Sequence, residues 1–145
     1  KPDPTLGQTI EIAKQMRDFK PDTVIAIGGG SAIDASKIAR LIYEVYLDRG
    51  DEFLDSYDAV SEFFLELQQK FIDIRKRIVK FKHQTTTRLF CIPTTSGTGA
   101  EVTPFAVITD DYTHVKYPLA DYELVPQVAI VDPEFVMIKL QNYKE

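Results

Sequence analysis

The chain has 145 residues, 44% of them apolar and 27% charged, a balance that fills the core of one domain and excludes wholesale disorder. Acidic residues outnumber basic ones 22 to 17, and the net charge of −5 makes nucleic acid and anionic membrane poor partners. The single cysteine, Cys91, has no internal disulfide partner, which fits a reducing, cytoplasmic setting. Neither a run of roughly 18 apolar residues, as a membrane span needs, nor a signal-peptide pattern is read in it. The first residue is Lys1, not Met, so the chain is expected to be cut or processed from something longer.

Asp3-Pro4 reads as a helix start, with Asp3 at the N-cap and Pro4 at the first helical position. Leu6, Ile10, Ala13 and Met16 then recur at helical spacing and form one apolar face, until Lys20-Pro21-Asp22 breaks the pattern. Residues 23–27 form a short continuous apolar run, the pattern of a strand buried on both faces. Gly28-Gly29-Gly30-Ser31 ends it. A second helix is expected from about Ala32, with Ile33, Ile38, Leu41, Ile42 and Val45 as its apolar positions.

The middle of the chain is acidic and aromatic from Glu44 to Glu66 and basic from Lys70 to Lys82. Residues 56–81 read as one or two amphipathic helices, with Val60, Phe64, Leu67, Phe71, Ile74 and Ile78 on one face. Residues 88–92 make a second buried-strand run, and residues 93–99 a loop of small residues. Residues 103–109 and 127–131 are further strand candidates, and Asp110-Asp111-Tyr112-Thr113 is a turn. This order predicts an α/β domain with a mainly parallel sheet.

Two loops carry chemistry. In Ile27-Gly28-Gly29-Gly30-Ser31, glycines let backbone approach a ligand, and the first turn of the following helix offers unpaired N–H groups and a favourable dipole to a phosphate. Ser31 caps that helix or donates to a phosphate oxygen. The same residues also suit a plain strand–helix turn. The dinucleotide fingerprint G-x-G-x-x-G is not met, because Ile33 stands at its third glycine, and P-loop spacing is absent. The second loop, Pro93-Thr94-Thr95-Ser96-Gly97-Thr98-Gly99, brings four hydroxyls and two glycines directly after a strand. Ligands of open α/β sheets sit beyond the carboxyl ends of strands, so the two loops are expected to line one crevice. His83 and His114 lie far apart and read as surface histidines, Cys91 reads as a packing residue, and the cluster Arg75-Lys76-Arg77 with Lys80 and Lys82 reads as a solvated helix or protein interface.

Ile25-Ala26-Ile27-Gly28-Gly29-Gly30-Ser31-Ala32-Ile33-Asp34-Ala35-Ser36-Lys37 resembles the GGGSxxDxxK segment of the iron-containing (group III) alcohol dehydrogenases. Ile92 to Thr103, through Pro93-Thr94-Thr95-Ser96-Gly97-Thr98-Gly99-Ala100-Glu101, resembles their second cofactor loop. Phe71-Ile72-Asp73-Ile74-Arg75-Lys76-Arg77 and Lys116-Tyr117-Pro118-Leu119-Ala120-Asp121-Tyr122 are similar to the alcohol dehydrogenase half of bifunctional aldehyde–alcohol dehydrogenases. The likeness runs from Pro4 to about Met137.

The resemblance implies a Rossmann-like, dehydroquinate synthase-like N-terminal domain, truncated at both ends, with residues 1–145 a single nucleotide-binding fragment and the helical metal-binding domain absent. It implies NAD(H) across the crevice, with Gly29, Gly30 and Ser31 at the pyrophosphate and Asp34 ordering the loop. Thr94, Thr95 and Thr98 match the loop on the phosphate and nicotinamide side, Val107 and Lys116 match positions approaching the nicotinamide ribose, and Thr103 and Phe105 would face the alcohol pocket. The family's Fe²⁺ site, one aspartate and three histidines opening in a GxDAxxH segment, would follow Val131-Asp132-Pro133-Glu134, so no residue of this chain is assigned as a metal ligand. The acidic residue that helps choose NAD over NADP would precede Lys1, and Asp48 and Asp51 are expected to be surface residues. The expected parent is a cytoplasmic, self-associating fermentative oxidoreductase interconverting a short aldehyde and its primary alcohol (acetaldehyde and ethanol), with this chain alone inactive. A related metal-dependent polyol dehydrogenase and a non-catalytic nucleotide-binding or assembly module are the alternatives.

Overall fold

The computed structural model describes residues 3–75 and 86–142. Helix α1 spans Leu6–Phe19 and buries the predicted face of Leu6, Ile10, Ala13 and Met16. Its N-cap is Thr5, not Asp3. The Thr5 hydroxyl accepts from the Gln8 N–H, and the Gln8 side chain accepts from the Thr5 N–H, a reciprocal capping box. Asp3, at φ 63°, lies in the left-handed region, whereas an N-cap needs extended backbone. Pro4 lies outside the helix; its carbonyl accepts from the Thr109 N–H at 2.9 Å. Lys20 ends α1 in the left-handed conformation, at φ 55°.

Strand β1 (Thr23–Gly28) pairs in parallel with β2 (Arg88–Pro93). A short β5 (Val128–Ala129), narrower than the run at 127–131, pairs in parallel with the far edge of β2, giving the order β1-β2-β5. Helix α2 (Gly30–Arg49) begins two residues before the expected start and packs on β1 and β2. Beneath it, Ala26, Ile33, Leu89, Cys91 and Ala100 form a small core. The expectation of a strand buried on both faces is corrected: Ile25 and Ile27 are 62% and 59% exposed. Strand side chains alternate between faces, and among the described residues only one face of β1 is covered.

The larger core lies on the other side of α2. The predicted Ile38, Leu41, Ile42 and Val45 share this core with the apolar face of α1, with Phe53 and Leu54 of α3 (Asp51–Leu54), and with Val60, Phe63, Phe64 and Leu67 of α4 (Tyr57–Arg75). The side chains of Phe71, Ile74 and Ile78 lie outside the described residues, as do His83 and the basic cluster. Strands β3 (Phe105–Thr109) and β4 (Lys116–Ala120) form an antiparallel hairpin around the predicted turn. Strand β4 escapes the sequence pattern because Pro118 interrupts it. A final helix, α5, spans Pro133–Asn142.

Between the sheet and the hairpin, α2 buries three charged residues that the apolar periodicity passes over. Lys37 and Arg40 are both 0% exposed and Glu44 is buried. The Arg40 guanidinium donates to the Thr87 carbonyl at 2.9 Å, to the Glu123 carbonyl and to Gln127 Oε1 at 3.2 Å. The Glu44 carboxylate accepts from the Thr87 N–H at 2.5 Å and the Thr86 hydroxyl at 3.1 Å. Buried charge is tolerated where it is hydrogen-bonded in this way.

Candidate functional site: a cleft between two loops and a hairpin

Because β1 and β2 run parallel, the glycine loop and the hydroxyl loop leave the sheet at the same end, as predicted. Gly28 and Pro93 are register partners, and the Thr94 N–H donates to the Gly28 carbonyl at 2.9 Å. A Cβ on Gly28 would stand 2.6 Å from the Ala32 methyl, so α2 leaves the strand this abruptly only with glycine there. A Cβ on Gly29 would meet Thr95 Oγ1 at 3.1 Å, and one on Gly30 would meet Thr98 Cγ2 at 2.9 Å. The two loops thus touch through the space their side chains would fill.

Gly29 is the N-cap of α2 and brings no side-chain acceptor; its carbonyl accepts from the Ala32 and Ile33 N–H groups at 3.1 Å each, which leaves the Gly30 and Ser31 amides as the ones an anion could meet. Ser31 is not the cap. It sits inside the first turn, and its hydroxyl accepts from the Asp3 N–H at 3.3 Å.

A cleft of about 390 Å³ opens at this point. Gly30, Ser31 and Asp34 of α2 line it together with Thr98 of the hydroxyl loop and Thr103, Phe105 and Val107 at and before β3. The Asp34 carboxylate accepts from the Val107 N–H at 3.0 Å; burial raises its pKa above the usual carboxylate value against the opposing effect of that bond and of Lys37. The Lys37 amine donates to the Thr103 carbonyl at 2.8 Å, the Thr103 hydroxyl at 3.3 Å and the Phe105 carbonyl at 2.8 Å. Burial pushes its pKa down to about 8. Burial pushes the neighbouring Cys91 thiol up to about 11, consistent with a packing role.

The remaining sequence-predicted residues lie around this cleft rather than in its walls. Thr94 closes the loop pair through its N–H, and Thr95 packs over Gly29. Lys116 is exposed and pairs with Asp3 at 2.8 Å; its link to the cleft runs through Asp3, whose N–H reaches Ser31. A larger depression of about 770 Å³ lies on the far side of Ser31 against α1, Asp111 and His114, but shares only Ser31 with the predicted residues. The reading of the residues gave Lys37 no role; the one signal that could have found it is its spacing, three residues after Asp34 on the same helix face. Among the described residues, no group of three or more His, Cys, Asp or Glu side chains could hold a metal ion, and no helix is long and apolar enough to cross a membrane.

Paired loops at the carboxyl ends of adjacent parallel strands are the arrangement in which open α/β sheets take ligands. The family model for iron-containing alcohol dehydrogenases matches residues 1–133, and the chain belongs to that family. It is 52% identical to aldehyde-alcohol dehydrogenase 2 of Entamoeba histolytica over 94% of its own length, and 48% identical to the bifunctional aldehyde-alcohol dehydrogenase AdhE of Escherichia coli K12 over 93%. It spans 14% of the length of each. Among solved structures, it is similar to the sulfoacetaldehyde reductase of Bifidobacterium kashiwanohense in complex with NAD⁺, with a TM-score of 0.68 and 29% identity, covering 94% of this chain and 30% of that one. The family and the mainly parallel α/β fold expected from the motifs are thereby established.

Proposed function

We propose that this chain is the cofactor-binding portion of an NAD-dependent, iron-containing alcohol dehydrogenase that interconverts a short aldehyde and its primary alcohol, acetaldehyde and ethanol in the first instance. The observation that carries the reading is the cleft in which the glycine loop and Thr98 meet Thr103, Phe105 and Val107. The glycine loop offers the Gly30 and Ser31 amides at a helix N-terminus and a surface without Cβ atoms at Gly29 and Gly30, the chemistry of a pyrophosphate cradle. Phe105 and Val107 give the same cleft an apolar lining that suits a nicotinamide ring and a small alcohol. The close relatives named as aldehyde-alcohol dehydrogenases and the NAD⁺-bound reductase support the substrate and cofactor class.

In this reading the amides of the first turn of α2 and the Ser31 hydroxyl bind the pyrophosphate. Asp34, by accepting the Val107 N–H, holds the strand under the nicotinamide in register with the loop. Bound NAD(H) supplies the hydride acceptor or donor. The described residues do not fit an iron site, so no step through the metal is assigned to them.

The test is alcohol-dependent NAD reduction by the full-length protein loaded with Fe²⁺, beside NADH binding. Activity with ethanol and NAD is expected; a folded protein that binds neither NADH nor NADPH overturns the reading. The isolated 145-residue chain is expected to bind NADH weakly and to show no alcohol-dependent NAD reduction with added Fe²⁺ or Zn²⁺. Metal-dependent turnover by the pure chain, abolished by His83→Ala or His114→Ala, would refute this.

A further inference from the structure

We infer that Lys37 is a positioning residue that sets the alcohol side of the cleft against the cofactor side. The inference rests on the proposed cofactor and alcohol reading and adds a specificity-determining contact to it.

The lysine is 0% exposed, which is a costly place for an amine. If filling the core were its only task, an unbranched apolar side chain of similar length would do so without burying a charge. Its hydrogen bonds show a different task. All three acceptors are on Thr103 and Phe105, two residues that line the cleft together with Gly30 and Ser31. Two of them are backbone carbonyls, at 2.8 Å each, so the bonds fix the path of the chain as it enters β3 rather than one side chain. The third is the Thr103 hydroxyl at 3.3 Å, whose rotation the ammonium thereby restricts.

An ammonium has three N–H donors, and three oxygen acceptors match them in number. Hydrogen bonds constrain distance and direction, whereas apolar contact lets a strand slide by fractions of an ångström. The lysine stands on the helix whose first turn is the glycine loop. The distance from cofactor loop to alcohol wall is therefore carried through one rigid helix and one fixed amine.

The test uses the full-length, metal-loaded protein with Lys37→Met, Lys37→Gln and Lys37→Arg, reading the NADH dissociation constant without alcohol, the alcohol KM and kcat. Methionine fills the space and offers no donor. The expected result is an alcohol KM raised about tenfold or more in Lys37→Met, the scale of a lost charge-assisted hydrogen bond, with NADH affinity within about twofold of wild type. Glutamine, with two donors on a shorter stem, should fall between methionine and wild type, and arginine should recover part of the loss.

NADH affinity and alcohol KM falling together, or an unchanged alcohol KM in a folded Lys37→Met protein, would overturn the inference. Should Lys37→Met fail to fold, Lys37→Gln decides by the same criterion. If neither folds, the lysine serves folding alone and the inference is refuted. A wild-type protein that binds no NADH would instead overturn the cofactor reading, which separates the two failures.

Discussion

Replacing Gly30 with valine tests the cofactor loop directly. Gly30 is the first residue of α2 and its φ is negative, so a side chain there meets no backbone strain; the cost to stability comes from crowding against Thr98 and should be about 1–3 kcal/mol. The steric consequence falls on the cleft. The new Cβ stands 2.9 Å from Thr98 Cγ2 and 3.3 Å from Thr98 Cβ, inside normal contact. Rotation of the exposed Thr98 side chain relieves the Cγ2 contact but not the one to its Cβ, so the hydroxyl loop must give by a few tenths of an ångström, and the two valine methyls then stand between the loops, where the pyrophosphate is proposed to lie. Loss of direct contact with the first-turn amides should weaken NADH by at least ~1.4 kcal/mol, a factor of ten. Alanine, with one carbon instead of three, should give a smaller change in the same direction. NADH fluorescence titration of the full-length protein, beside its thermal unfolding, measures both quantities. A folded Gly30→Val protein with an unchanged NADH dissociation constant would remove this loop from the cofactor site.

Two further substitutions separate binding from stability. Lys116→Ala should raise the NAD KM more than the alcohol KM and leave stability within about 1 kcal/mol, because its pairing with Asp3 at 2.8 Å is solvent-exposed on both sides; steady-state kinetics with an equal rise in both constants would refute a cofactor role. Glu44→Gln addresses the seam beneath α2. Burial alone would raise the Glu44 carboxyl, but hydrogen bonds from Thr87 and Thr86 outweigh it and hold the pKa below its ordinary value of 4.5. A depressed carboxyl stabilises the fold above that value, and the stabilisation is lost as pH falls through and below it. Urea unfolding from about pH 7 to about pH 3 should therefore show a lower plateau and a shallower acid limb in Glu44→Gln than in wild type; parallel acid limbs would show that Glu44 carries no such linkage.

Local pattern and chemistry made much of this fold readable. Leu6, Ile10, Ala13 and Met16 recur at a helix period that survives any tertiary context, and the two loops announce themselves by composition at strand ends. Three of the departures have different physical reasons. Asp3 lost the N-cap to Thr5 because Gln8 supplies the reciprocal bond and Asp3 is held left-handed, which depends on backbone angles that sequence does not display. Ile25 and Ile27 read as buried because a continuous apolar run marks a strand that can be covered twice, whereas burial depends on which elements pack on each face. Strand β4 was hidden by Pro118, a poor strand residue that is accommodated in a two-stranded hairpin.

The polar side of α2 was the least legible part, and it explains why the motif has its spacing. Ser31, Asp34 and Lys37 follow one another at intervals of three, so each lies beside the next, about 60° further round the helix, and the three spread over about 9 Å at a rise of ~1.5 Å per residue. Each meets a different segment: Ser31 the backbone of Asp3, Asp34 the N–H of Val107, and Lys37 the carbonyls of Thr103 and Phe105. A hydrophobicity scan discards Asp34 and Lys37 as a solvated stripe, because it sees charge and not the backbone groups that answer it. Moving either by one position would turn it about 100° around the helix, away from the strand it holds. The spacing thus matches the distance from the glycine loop to β3: the helix that begins at that loop carries both of the charged side chains that hold β3 by its backbone.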